Sequence, residues 1–226
     1  MIRRWCQSVV SINRREPVAE RTSKRMSDLR DILSLPWLYK AFQTLIGARR
    51  LREEITSTYI KVESGERILD IGCGTADIRP HLGDVTYVAF DPSESYIKNA
   101  RLKYPDAIFH VGSIENPPKL VGEFDVALAI GVLHHVGDEE AAALFELARS
   151  VLRTGGKLIT VDPVVVTEGE NFLANIVVRR DRGRHVRRQM EYTDLARRSF
   201  PNRVESIVRA DLIRLPYNHC ILVCVH

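Results

Sequence analysis

With 226 residues, 45% of them hydrophobic and 27% charged, the chain can bury one good-sized core, and it lacks the composition of a disordered polymer. Its longest apolar stretch, residues 126–133, is far too short for a membrane span, and Cys6, Cys73, Cys220 and Cys224 form neither a CxxC pair nor a disulfide scaffold, which fits reduced thiols in a cytoplasmic setting. The net charge of +4 is lopsided: residues 1–26 and 179–188 each carry +5 and the remainder −6, so no broad phosphate-binding face is expected and nucleic acid is not an expected partner.

Residues 1–28 read as a basic, loosely ordered extension of the domain at 29–226, because they show little apolar periodicity. From 29 to 46 apolar residues recur at three- and four-residue steps and break at Pro36, the pattern of two short helices, and a more polar helix follows Gly47 to about Ile60. Beyond residue 66 the runs RILDI, TYVAF, AIFHV, FDVALAI and KLITV alternate with helical stretches. Their unbroken hydrophobicity marks strands buried on both faces of a parallel sheet, so the fold class is α/β. Ser93 is placed to cap a helix running to about Tyr104, and Asp138, Glu139 and Glu140 open another that ends before Gly155 and Gly156. Two further strand-like runs, 204–212 and 220–225, suggest an antiparallel hairpin.

The strongest chemical signal is Leu69-Asp70-Ile71-Gly72-Cys73-Gly74-Thr75-Ala76-Asp77. A buried strand runs into a turn where Gly72 and Gly74 let the backbone approach a ligand that a Cβ would obstruct. Dinucleotide-binding folds use a related GxGxxG turn, but Asp77 stands where their third glycine would be. Asp70, just before the first glycine, is placed to hold turn amides or a ligand's amino group.

This run resembles motif I of class I S-adenosylmethionine-dependent methyltransferases. The likeness continues in order through Phe90-Asp91, Gly112-Ser113, FDVALAIGVLHHV and LRTGGKLITVDP. It implies a Rossmann-like, mostly parallel seven-stranded sheet with an antiparallel C-terminal hairpin and N-terminal lid helices at 29–60. The cofactor core then spans 66–163, a substrate-pocket segment 164–200 and the hairpin 201–226.

The resemblance also implies roles. Asp91 accepts hydrogen bonds from the cofactor ribose, Pro92 and Ile114 pack on the adenine, and Ser113 meets the adenine amino group where the family often has an acid. Ile130 and Gly131 line the methionine side, beside Asp70, Gly72, Cys73 and Gly74. His134 or His135 is the candidate general base, with loop bracing as the alternative. Arg179, Arg182 and Arg187 are candidates for clamping an anionic group on the acceptor, and Tyr39, with Phe42 and Gln43, for reaching the cofactor from the lid; a solvated loop and core packing are the alternatives.

The function so read is methyl transfer from S-adenosylmethionine to an oxygen, nitrogen or carbon of a small molecule, with no metal ion. Two alternatives are a nicotinamide-dependent oxidoreductase and a non-catalytic S-adenosylmethionine-binding protein. A base-flipping enzyme is not expected, because Asn116-Pro117-Pro118 follows the third strand rather than the fourth.

Overall fold

The apolar runs become neighbouring strands because side chains on both faces need cover, which helices on either side provide. A computed structural model of the chain describes residues 48–166, 184–213 and 217–226. They belong to the compact unit Leu45–His226. The strands are β1 (Arg67–Ile71), β2 (Thr86–Asp91), β3 (Ile108–Val111), β4 (Phe124–Ile130), β5 (Leu152–Val165), β6 (Arg187–Arg188), β7 (Val204–Arg209) and β8 (His219–Val225). The helices are α1 (Ala48–Ile55), which continues as a π turn (Thr56–Ile60), then α2 (Glu94–Lys103), α3 (Asp138–Val151) and α4 (Gln189–Ser199).

Seven strands run in the order β3-β2-β1-β4-β5-β8-β7, and the two-residue β6 pairs with β5 off this path. β1 to β5 are parallel, while β8 lies antiparallel to both β5 and β7. The expected seven-stranded sheet with its terminal hairpin is therefore present, and β6 is an addition. The chain order reverses between β1 and β4, so a ligand crevice belongs at the carboxyl ends of these strands.

Each face carries its own core. Leu69, Phe90, Phe124 and Leu158 pack with Leu144 and Phe145 of α3 and Tyr192 and Leu195 of α4. On the other face Ile68, Tyr87, Val126 and Ile159 pack with Ile55, Ile60 and Ile97. Ser93 caps α2 as expected, its hydroxyl accepting from the Tyr96 amide. No helix among the described residues is long and apolar enough to cross a membrane.

Two expectations need correcting. The β-α alternation, read strictly, puts a helix after β1 and another after β3, but the first connection is a series of turns ending in a 3-10 segment, Arg79–His81, and residues 112–123 carry no helix. Left-handed backbone at Gly72, Gly74 and Ala76 prevents a helix from starting, and Pro80 and Gly83 discourage one later. The run 204–212 is a strand only to Arg209, where the side chain turns onto Asp211 (2.7 Å) and the chain leaves the sheet.

Candidate active site

The structure brings the glycine turn, Asp91, Ser113, Ile130 and Gly131 to one sheet edge, because they follow or end β1, β2, β3 and β4, which pair in parallel register. The turn is built on the neighbouring strand: the Gly72 and Cys73 amides both donate to the Phe90 carbonyl, at 2.9 and 3.1 Å. Gly72 sits at φ +69°, and a Cβ there would lie 2.8 Å from Cγ2 of Val132. At Gly74, φ is +54° and a Cβ would meet nothing within 4 Å, so its open side is available to a ligand.

Asp91 ties this turn to β2. Its Oδ2 accepts the Gly74 amide at 2.9 Å and its Oδ1 the Ser93 amide at 2.8 Å. Each oxygen keeps a further lone pair, so the carboxylate can hold the turn and still accept ligand hydroxyls. Asp70 lies deeper, 3% exposed, with the Tyr87 hydroxyl donating to its Oδ2. Burial pushes the Asp70 carboxyl up to about 7; the Tyr87 bond opposes this, and the charge of Asp91 adds to it.

The absent third glycine now has a structural explanation. Asp77 turns outward and binds Lys103 Nζ at 3.0 Å and Arg52 at 3.5 Å, joining the turn to α2 and α1. Burial would raise its carboxyl, but Lys103 and Arg52 outweigh it and hold the group below its ordinary value. The described part of the expected lid, 48–60, buries Ile55 and Ile60 in the core.

At the edge beyond β3, Ser113 is engaged within its own turn, its hydroxyl accepting from the Asn116 amide at 3.1 Å. Ile114 is partly buried against the core, and Pro92 is exposed. Gly131, at φ +72°, donates its amide to the Val161 carbonyl at 2.8 Å.

The two histidines are not equivalent. His134 is buried and its Nδ1 lies 2.8 Å from Oδ1 of Asp162, whereas His135 is exposed, with ring centroids 3.9 Å apart. Asp162, which ends the apolar run of β5, is the residue sequence reasoning missed. The signal was present: Asp162-Pro163 follows the apolar run KLITV as Asp91-Pro92 follows TYVAF, although β5 continues beyond Asp162 to Val165.

Arg187 is a correction. It points inward as expected, but its guanidinium is fully engaged by the chain itself. Nε and Nη2 bind Asp138 Oδ1 at 2.9 and 2.7 Å, Nη1 binds the Leu133 and His185 carbonyls, and Nη2 also binds the Val136 carbonyl. All five N–H groups have acceptors, leaving none for an anion on an acceptor molecule. Tyr39, Phe42, Gln43, Arg179 and Arg182 lie outside the described residues.

Residues 68–156 match the family model described as a methyltransferase domain. An uncharacterised methyltransferase of Synechocystis sp. is 25% identical over 133 residues, 56% of this chain and 63% of that protein. The demethylmenaquinone methyltransferase of Beutenbergia cavernae is 30% identical over 119 residues, 52% of this chain and 49% of its own. The chain thus spans between about half and somewhat under two thirds of these relatives. Among solved structures, the S-adenosylmethionine-dependent methyltransferase SibL in its apo form superposes with a TM-score of 0.63 at 16% identity, covering 84% of this chain and 57% of that one. That likeness concerns the fold.

Proposed function

From a chain whose core belongs to the class I S-adenosylmethionine-dependent methyltransferases, we propose methyl transfer from S-adenosylmethionine to a small-molecule acceptor. The observation that carries this reading is the Asp91 carboxylate bound to Gly74 and Ser93 beside a turn that is open at Gly74. An acceptor-only group at the end of β2 suits a ribose diol, and the glycine backbone suits the close approach of a nucleoside. Asp70 adds a second carboxyl at this edge, appropriate to a cofactor head that carries positive charge.

The cofactor, when bound, supplies an electrophilic methyl on sulfur and leaves as S-adenosylhomocysteine. The protein's contribution is alignment and exclusion of water, with Gly72, Cys73, Gly74, Asp91, Pro92, Ser113, Ile114, Ile130 and Gly131 as the proposed cofactor contacts. His134 is the proposed base, taking the proton of the acceptor group as it is methylated; exposed His135 is the weaker candidate. The name of the Beutenbergia relative supports a small-molecule acceptor, and the reading includes a cytoplasmic setting.

A nicotinamide dinucleotide suits this turn less well. Its pyrophosphate calls for the amino end of a helix, and residues 72–82 are turns and a 3-10 segment. Titration calorimetry with S-adenosylmethionine, S-adenosylhomocysteine and NAD is the test. Binding of the first two is expected; tighter binding of NAD than of S-adenosylhomocysteine would remove the proposal. Cofactor binding without turnover across a broad acceptor screen would favour the non-catalytic alternative.

A further inference from the structure

At the amino ends of β1 and β2, the sheet edge opposite the glycine turn, a cleft of about 440 Å³ opens between α1 and the β1–β2 connection. Glu53, Thr56, Lys61 and Val62 come to it from α1 and its π turn, and His81 and Leu82 from the connection. The two approaches are held together just beyond it, where the Gly65 amide donates to the Asp84 carbonyl at 2.9 Å. The π turn Thr56–Ile60 is closed by the Lys61 amide on the Thr56 carbonyl, also at 2.9 Å, with Lys61 itself in the left-handed region at φ +45°. Both features are uncommon in a chain and gather at functional positions.

The walls hold donors that the fold does not use. Thr56 Oγ1 is buried without a hydrogen-bond partner. The exposed Lys61 ammonium and the His81 ring make no hydrogen bond or ion pair among the described residues. Glu53, which could neutralise Lys61, is instead paired with Arg49 at 2.7 Å. Burial, with Arg52 and Arg49, outweighs the charge of Glu53 and holds the His81 imidazole below its ordinary value, so near pH 7 it is neutral and still offers an N–H. Beside these groups Val62 and Leu82 supply apolar surface.

We propose that this cleft is a second ligand site, separate from the cofactor edge, and that it takes a small organic acid: the carboxylate on Lys61, Thr56 and His81, the apolar body on Val62 and Leu82. A carboxylate only accepts hydrogen bonds, and the three unengaged groups can all donate, one of them with a full positive charge. A cation would meet Lys61 and the surplus of Arg49, Arg50 and Arg52 on α1, while a bare inorganic anion would leave the apolar wall uncovered. A bound carboxylate beside His81 favours the protonated ring, so binding takes up a proton and strengthens as pH falls. The site stands without the methyltransferase reading, since no wall residue is among the proposed cofactor contacts.

The test is a titration of the full chain, labelled with nitrogen-15, with phenylacetate, followed by backbone amide spectra. Its neutral counterpart 2-phenylethanol and inorganic phosphate serve as controls. Phenylacetate should shift the amides of residues 53–62 and 81–83, saturating S-adenosylhomocysteine should not displace it, and both controls should bind about ten-fold more weakly or worse. Lys61→Met should weaken phenylacetate binding about ten-fold, whereas Lys61→Arg should bind as the wild type does. Thr56→Val, which removes a hydroxyl with no partner to lose, should weaken it about five-fold at an unchanged melting temperature. Affinity should rise between pH 8 and pH 6, and His81→Gln should abolish the rise. Absence of shifts at millimolar phenylacetate, shifts centred on the glycine turn, displacement by S-adenosylhomocysteine, equal binding of 2-phenylethanol, or undiminished binding by Lys61→Met would each overturn the proposal.

Discussion

Asp91 and Gly74, 17 residues apart in the chain, meet at 2.9 Å, so the carboxylate proposed to receive the ribose also shapes the turn beneath it. Asp91→Ala therefore removes a ligand contact and loosens the turn together. The expected result is at least a ten-fold loss of S-adenosylhomocysteine affinity, about 1.4 kcal/mol or more, with a lowered melting temperature. Asp91→Asn keeps one acceptor oxygen and should fall between. Calorimetry paired with thermal melts separates the two effects, and an unchanged affinity for the alanine variant would contradict the assignment.

At Gly72, two separate penalties await a side chain: left-handed backbone and the Val132 methyl 2.8 Å from the new Cβ. Gly72→Ala should cost about 1–3 kcal/mol in urea unfolding. Combining it with Val132→Ala should recover the steric part and leave the backbone part. A double-mutant cycle with no coupling would mean that the turn shifts freely away from Val132.

The pH dependence of stability should carry the signature of Asp70. Its folded value near 7 lies above the ordinary 3.8, so between about pH 4 and pH 7 the native state holds a proton that the unfolded chain has released. The stability this group contributes is full below about pH 4 and is lost as pH rises through 7. Asp70→Asn should flatten that slope, by a few kcal/mol at most across the window. A positively charged ligand near the carboxyl would favour its ionised form, so S-adenosylmethionine binding near pH 7 should release protons. Calorimetry in two buffers of different ionisation enthalpy measures this, and Asp70→Asn should abolish it.

Arg187→Lys should behave as a folding lesion. Lysine offers three donors where five are used, and it cannot reproduce the planar fork on Asp138. A loss of about 2–4 kcal/mol is expected in denaturant melts, because buried carbonyls are left unpaired. Cofactor affinity at saturating folded protein should be unchanged; a selective rise in the KM of an anionic acceptor would restore the substrate role.

What was legible in the chain follows from how local each signal is. Continuous apolar runs announce buried strands because neither face admits water, and Ser93, Gly72 and Gly74 announce their conformations through residue type alone. The helix expected after β1 fails because Ala76, an ordinary helix former, is held at φ +56° by a turn whose partners lie on β2. Arg187 sits in a charge run that reads equally as an acceptor clamp or a solvated loop, and its real environment, Asp138 and a set of backbone carbonyls, is one that no sequence pattern displays. Asp162 becomes visible only when β5 is aligned beside the loop after β4, where His134 lies 28 positions away.

The loop after β4 is laced to the segment before α4 by more than Arg187, since the His185 amide also donates to the His134 carbonyl at 3.0 Å. Stretches 131–138 and 184–188 therefore form one mechanical piece, although some fifty positions separate them. A chimera that imports either stretch alone from a homologue would leave the grafted half without its anchors. Only joint transplantation of both keeps the orientation of the imidazole while new selectivity is explored.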